Sequence, residues 1–229
     1  MKETNLDTIA NELLEKLNKD AQYIVKGVSI NSPRAVGDAV QAFLGSEKGL
    51  ACILEKQGIT VEGDFTRRSM EDLAFKDLNG KYYAVDVKTH NLDTNFNMPN
   101  LISVKRLAQF YRRDDNNVFC ILIVSYKVED GRLVYKDCHF KPIEAFHWDC
   151  LTLGALGWGQ IQIANANRLL FHKSDDIRRK RWMIELCDHL QTYYEEEITK
   201  IGERKSWFAE TKGYWSGKSD ATQGQSERR

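Results

Sequence analysis

Residues 72–88 read DLAFKDLNGKYYAVDVK and contain two short apolar runs with a turn signal between them. The runs cover residues 73–75 and 82–85, and Leu78, Asn79 and Gly80 separate them. Apolar runs of this length that flank an Asn-Gly pair are typical of a β-hairpin. The sequence therefore predicts a hairpin at this position.

The register of this hairpin decides which side chains meet. A three-residue loop with Gly80 in the left-handed conformation places Asp72 directly opposite Asp86. Opposed like charges destabilise a hairpin unless a positive group lies between them, and a hard divalent cation meets that need. Lys88 is two residues beyond Asp86, so both side chains leave the same face of the strand. The stretch predicts two carboxylates that bind Mg²⁺, with a lysine beside them.

This set of groups is sufficient in outline for phosphodiester hydrolysis. The metal polarises the scissile phosphate and lowers the pKa of a bound water, while Lys88 positions or helps deprotonate that water. An exposed strand edge with alternating charges would show the same Asp-x-Lys triplet. The triplet alone leaves both interpretations open.

Apolar spacing predicts the helices of the chain. Two helices are predicted over residues 6–18 and about 36–57, the second ending at Gly58. A helix of about three turns is predicted after Pro99, and a long helix from a Ser174 cap through Ile198. The apolar stripes of the first two are predicted to form core or dimer contacts.

Three further strands follow from alternation and turn signals. Residues 118–126 predict a buried strand with residues 133–140 as its hairpin partner, and residues 160–163 predict a strand after a glycine-rich loop. The length of 229 residues predicts one domain, assigned to residues 1–215. Residues 216–229 offer little to bury and predict a disordered tail.

Charge and cysteine usage narrow the class of protein. The 33 basic residues balance the 33 acidic ones, so no global field attracts nucleic acid, and any DNA contact must use local clusters such as those at residues 105–106, 112–113 and 178–181. Five widely spaced cysteines predict reduced thiols. The longest strongly apolar run is too short to span a bilayer and no signal-peptide pattern opens the chain. A soluble, cytoplasmic protein is expected.

The chemistry-bearing motifs resemble a known family. Asp72, followed across a hairpin by Asp86-Val87-Lys88, resembles the PD-(D/E)xK nuclease core. Residues 99–103, the glycine-rich stretch before residue 163 and the aromatic and basic helix around residues 181–182 extend the resemblance. Over roughly residues 36–208 the sequence is similar to type II restriction endonucleases of the HincII and HpaI group, with the EcoRV branch more distant.

The resemblance implies a fold, a cofactor and a role for each matching residue. The expected fold is α/β, with a central mixed β-sheet flanked by helices, in a twofold homodimer. Asp72, Asp86 and the carbonyl of Val87 match the metal ligands, and Lys88 matches the catalytic lysine. Mg²⁺ is the implied cofactor, for which Mn²⁺ is expected to substitute.

The same resemblance implies which segments contact double-stranded DNA. Asn97 matches a residue that approaches bases from the minor-groove side, and Asn100 matches a neighbouring polar contact. The loop that enters the major groove matches Gly154, Ala155, Gly157, Trp158, Gly159 and Gln160. Glycines there allow close approach of the backbone, and amides can pair with adenine. Gln162 is left open between base contact and ordinary sheet-face polarity.

One position departs from the family. Its first long helix usually carries a glutamate near the metal, and Gln41 stands at that place as a possible neighbour of the metal ligands. Asp38 or Glu47 could supply the missing charge, so the number of metals stays open. His90 could contact phosphate or simply end a strand, and the histidines form no zinc-binding pattern.

The expected function is that of a type II restriction endonuclease. Such an enzyme hydrolyses both strands of a short palindromic site, here with blunt 5′-phosphate ends expected, and belongs to a restriction-modification system with a cognate DNA methyltransferase. One alternative is a structure-specific or repair nuclease on the same core. The other is a DNA-binding protein without catalysis, which Gln41 favours.

Overall fold

A computed structural model describes residues 4–62, 70–94, 99–154, 157–173 and 178–218, without the side chains of residues 60–62. The chain divides into two compact units, residues 1–179 and residues 180–229. All five cysteines are free. Within the described ranges no helix has the length and apolar character needed to cross a membrane. The Ser174 cap and residues 219–229 of the predicted tail lie outside the described residues, and the single domain stays a prediction.

The described part of the first unit contains four α-helices, two short 3₁₀ helices (Ile143–Ala145 and Trp148–Cys150) and eight strands. The helices are α1 (Leu6–Ile24), α2 (Pro33–Leu44), α3 (Leu50–Glu55) and α4 (Val104–Arg113). The strands are β1 (Thr60–Glu62), β2 (Leu73–Lys76), β3 (Tyr82–Asn91), β4 (Asn100–Ser103), β5 (Asn117–Glu129), β6 (Arg132–Pro142), β7 (Leu151–Gly154) and β8 (Gln160–Ile163). A long helix, α5 (Arg179–Ser216), begins at the last residue of the first unit. It makes up the described part of the second unit except for residues 217–218.

The strands form two sheets. The central sheet has the order β1-β2-β3-β5-β6, in which β3 and β5 are parallel and the other neighbours are antiparallel. A second, antiparallel sheet has the order β4-β8-β7. The predicted fold class, α/β with a central mixed sheet flanked by helices, is confirmed.

Alternation along β3 separates the two faces of the central sheet. Tyr83, Val85 and Val87 belong to the main core cluster, together with the buried faces of α1, α2 and α3. Tyr82 leaves the opposite face, where its ring lies 6.2 Å from that of Phe110 on α4. Helices therefore cover both faces, and the side chains that alternate with the core positions of β3 lie on the α4 side.

The hairpin of β2 and β3 has the predicted register. Phe75 pairs with Tyr83, and Gly80 has a φ of 79°, so the three-residue loop forms as expected. Asp77 closes the loop, because its Oδ1 accepts hydrogen bonds from the backbone N–H groups of Asn79 and Lys81. Local turn chemistry thus sets the register of the strand that carries Asp86.

The single helix predicted for residues 36–57 is wrong, because the chain forms α2 and α3 with a turn between them. Gly49 lies against the end of α2, where a Cβ would come within 2.2 Å of the carbonyl oxygen of Phe43. That backbone contact is possible only without a side chain, so the chain turns back at this glycine and restarts as α3.

The predicted helix after Pro99 begins later than expected. Residues 100–103 form β4, and the helix proper starts at Val104. Ile102 and Ser103 pair with β8, which provides backbone partners from a distant part of the chain. The strand β7 was not predicted.

The apolar stripe of α1 packs into the core. Ile9, Leu13 and Leu17 are fully buried there, and the helix continues beyond the predicted end to Ile24. Of the two roles left open for this stripe, core packing is the one that the structure shows.

Gly49→Ala should destabilise the first unit, because its methyl group would overlap the backbone of α2. We expect a loss of about 2 kcal/mol or more in the free energy of unfolding, measured by urea denaturation. Gly213→Ala in the exposed part of α5, where nothing lies within 4 Å of the added Cβ, should be neutral or slightly stabilising. Equal stability of the Gly49 variant and the wild type would contradict the expected overlap.

Candidate active site

Asp86 is a buried carboxylate in an apolar setting. It is 7 % exposed, and its neighbour on the parallel strand β5 is the fully buried Ile121. Burial raises the pKa of Asp86 to about 7 because it disfavours the charged form, and the negative charge of Asp72 raises it further, whereas Lys88 lowers it. The site therefore holds a carboxylate whose ionisation needs a nearby positive charge.

Lys88 supplies part of that charge. Its Nζ lies 2.7 Å from Asp86 Oδ1, and the lysine side chain is about one quarter exposed. The other oxygen, Asp86 Oδ2, is buried and has no hydrogen-bond partner in the part of the chain that the structure describes. A buried acceptor without a donor is costly, so this oxygen is a candidate ligand for a cation.

Asp72 lies one residue before β2, at the open end of the hairpin. Its Oδ2 accepts a hydrogen bond of 2.7 Å from the backbone N–H of Val87, between Asp86 and Lys88. Its Oδ1 accepts one of 2.8 Å from Nε2 of Gln41 on α2. The structure thus brings Asp72, Asp86, Val87 and Lys88 together. Gln41 is in direct contact with Asp72, one of the predicted metal ligands.

The donor set fits Mg²⁺ better than a metal that needs an all-protein cage. No group of three or more His, Cys, Asp or Glu side chains that could hold a metal occurs among the described residues. Mg²⁺ is usually bound by one or two carboxylates and keeps several waters or substrate oxygens. Asp72 and Asp86, with the unpartnered Oδ2, match that pattern, and the ligand role of the Val87 carbonyl stays a prediction.

The predicted DNA-contacting residues that the structure describes lie in and beside the second sheet. Trp158 is 62 % exposed, and Lys105 Nζ lies 4.5 Å from the centre of its ring. Gly159 accepts a hydrogen bond from the N–H of Val104, so this loop is attached to the start of α4. Gly157 precedes Trp158 with a positive φ. Asn97 and Ala155 lie outside the described residues.

The amide side chains of this sheet have partners within the protein. The Gln160 amide is assigned the orientation in which its oxygen, and not its nitrogen, faces β4. In that orientation the oxygen accepts hydrogen bonds from the N–H groups of Ile102 and Ser103 at 3.1 and 3.2 Å. Gln162 Nε2 donates to Asn100 Oδ1. Gly154 leaves the space that the Gln162 amide occupies, because a Cβ there would come within 2.6 Å of its oxygen. A bidentate contact with adenine uses both amide atoms, so Gln160 would have to release β4 to make one.

His90 was not recognised from the sequence as a buried group. It is 2 % exposed and its Nε2 lies 2.8 Å from Oδ1 of Asn167. Asn167 in turn donates from Nδ2 to the carbonyl of Thr94. The pair joins the end of β3 to the segment after β8, a contact that no local pattern signals. Of the two roles left open for His90, this bond supports a structural one.

No family model matches the sequence, and no curated protein sequence matches it. The chain is structurally similar to the NlaIV restriction endonuclease. The match covers 69% of this chain and 68% of that one, with a TM-score of 0.41 and 16% sequence identity. A similarity at this level says nothing about what this chain binds or cleaves, so its function must be inferred from the residues at the hairpin.

Asp86→Asn should stabilise the metal-free protein at high pH. The folded-state pKa of about 7 exceeds the ordinary 3.8, so stability due to the protonated carboxyl is complete below about pH 4 and is lost as the pH rises through 7. In EDTA at pH 8 we expect the melting temperature to rise by about 2–4 °C, a gain that shrinks toward pH 4.

The matched control for this measurement is Asp188→Asn, which changes an exposed carboxylate. It should give no pH-dependent difference from the wild type. A lower melting temperature of the Asp86 variant at pH 8 would show that ionised Asp86 stabilises the fold, which is the opposite of what its burial predicts.

Proposed function

We propose that this protein is a type II restriction endonuclease that uses Mg²⁺ to hydrolyse both strands of a short palindromic DNA site, leaving blunt ends with 5′-phosphates. The observation that carries the proposal is the end of the β2–β3 hairpin, where Asp72 and the buried Asp86 lie beside Lys88. The motif resemblance to the HincII and HpaI group supports the finer assignment.

Each residue of the site has a role in this reaction. Asp72 and Asp86 would hold the cation, which supplies polarisation of the scissile phosphate and a bound water of lowered pKa. Lys88 Nζ, paired with Asp86 Oδ1, would position the attacking water and offset charge on the phosphorane. Gln41 and the N–H of Val87 hold the two oxygens of Asp72 in place. Mn²⁺ should substitute, because the ligands are oxygens.

The remaining parts of the proposal concern DNA and partners. Residues 154–160 would enter the major groove, with Asn97 and Asn100 making further contacts. A twofold homodimer would match the symmetry of a palindrome, with one site for each strand. The enzyme would act in the cytoplasm, within a restriction-modification system whose methyltransferase protects the same site.

Digestion of phage or plasmid DNA tests the proposal. Purified full-length protein with Mg²⁺ should give discrete fragments, and sequencing their ends should show blunt cuts at one palindromic site. A smear, or cutting only of branched or damaged duplexes, would indicate the structure-specific or repair nuclease instead. Binding without any cutting would indicate a DNA-binding protein.

Lys88→Ala should separate binding from cutting. We expect cleavage to fall by about 10²–10³-fold, since a group that offsets charge in the transition state is removed. DNA binding measured with Ca²⁺ in place of Mg²⁺ should change only a few-fold. Lys136→Ala on β6, a lysine that pairs with Glu129, is the control and should cleave normally. Retained cleavage by the Lys88 variant would rule out the catalytic role.

Gln41→Ala should weaken the metal site without abolishing the reaction. Groups that orient metal ligands typically affect metal affinity by about 10–100-fold. We expect the Mg²⁺ concentration for half-maximal cleavage to rise about tenfold, with little change at saturating Mg²⁺. Asp38→Ala, an exposed change on the same helix, is the control. If it shifted the Mg²⁺ requirement as strongly as Gln41→Ala, Asp38 would be the residue that compensates.

A further inference from the structure

A cavity of about 490 Å³ lies between α4 and the residues around the start of β2 and β3. We call it the α4 cavity. Its lining includes Glu71, Tyr82, Arg106, Gln109, Phe110 and Arg113. Glu71 immediately precedes Asp72, and consecutive Cα atoms are about 4 Å apart. The α4 cavity and the candidate active site are therefore built from consecutive residues, Glu71 and Asp72.

Two arginines from one helix contribute to this cavity. Arg106 and Arg113 are seven residues apart, which is about two helical turns, so they lie on the same face of α4 with Gln109 between them. All three are exposed. Among the described residues neither arginine forms an ion pair or hydrogen bond. Two like charges thus line one cavity, and among the described residues neither forms an ion pair there.

Helix stability does not explain this arrangement. Arg113 is at the C-terminal end of α4, where the helix dipole favours a cation. Arg106 is in the first turn, where the same dipole disfavours one. A cation at that position costs stability, so a role other than folding is the better explanation for Arg106.

Among the described residues, Glu71 is the one carboxylate that lines the cavity. The hydroxyl of Tyr82 donates to Glu71 Oε1 at 3.1 Å, and the Tyr82 ring packs near that of Phe110. The two guanidinium groups outnumber this carboxylate, so the described lining side chains carry a net positive charge. An anion is the ligand class that this balance favours.

We propose that the α4 cavity binds a backbone phosphate of the DNA strand, close to the scissile phosphate. The inference rests on the proposed function. Phosphates follow one another at about 3.4 Å of axial rise per nucleotide, so those within a few steps of the cleaved bond fall in reach of a cavity beside Asp72. The guanidinium groups of Arg106 and Arg113 and the amide of Gln109 are suitable donors to phosphate oxygens. Such contacts fix the position of the duplex without reading its sequence.

Binding to duplexes that lack the recognition site tests this assignment, with Ca²⁺ replacing Mg²⁺ so that no cleavage occurs. Arg106→Ala and Arg113→Ala should each weaken binding about tenfold, and each should reduce the slope of log K against log salt concentration by about one. Arg112→Ala is the matched control, because Arg112 has the same charge on the same helix but does not line the cavity. It should leave the slope unchanged.

Glu71→Gln provides a test in the opposite direction. Removing the negative charge of Glu71 should strengthen binding about two- to threefold if a phosphate lies in the cavity. Circular dichroism spectra and melting curves of all variants show whether each has folded, so that only folded variants are compared.

The outcomes separate the two proposals. If the wild type binds duplex DNA and Arg112→Ala lowers the slope as much as the other two, or none of the three lowers it, the α4 assignment is overturned while the proposed function stands. If the wild type binds no DNA at all, both the α4 assignment and the proposed function are overturned. A lower slope for Arg106→Ala and Arg113→Ala alone supports the assignment.

Discussion

Asp72 and Asp86 meet at the end of the β2–β3 hairpin, and the buried position of Asp86 is the constraint on which the site depends. The backbone pairing of β2 with β3 ends at Leu73 and Val85. Beyond it, the Asp72 side chain accepts a hydrogen bond from the N–H of Val87. This bond anchors one carboxylate beside the other. β3 can hold a buried carboxylate because it is a central strand, paired along its length with β5 and therefore fixed in position. The cost of burying the charge is offset in part by Lys88, and a cation would offset more.

The hairpin could be predicted because its determinants are local. Asn79 and Gly80 select the turn, and Asp77 closes it with hydrogen bonds to the N–H groups two and four residues ahead. The alternation of β3 then fixes which side chains lie on each face of the sheet. Once the loop length is known, the pairing of every residue up to the end of the ladder follows. The proximity of Asp72 to Asp86 could thus be predicted from the seventeen residues 72–88 alone. The contact of Gln41 was not, since it came only from a family resemblance and joins residues 31 positions apart.

The features that the sequence did not predict depend on how parts of the backbone pack against one another. The break between α2 and α3 depends on how closely Gly49 approaches the carbonyl of Phe43, and apolar spacing carries no information on backbone approach. The apolar spacing of the β4 residues also fits a helix. They form a strand because β8 provides backbone hydrogen-bond partners. His90 finds its partner 77 residues away. β4 and the His90 contact are set by distant residues, which override local propensity. The break at Gly49 is set by a close approach within one segment of the chain.

The second sheet also changes what a DNA-reading role would require. Gln160 was expected to contact bases and the role of Gln162 was left open, yet the Gln160 oxygen faces backbone donors of β4 and Gln162 donates to Asn100. A base contact by either would exchange a protein bond for a DNA bond, which lowers its net contribution. Trp158 differs, because its ring projects into solvent against Lys105. Under the proposed function, the backbone at Gly157 and Gly159 and the exposed Trp158 ring are therefore better placed to contact bases than the glutamines, whose bonds join β8 to β4.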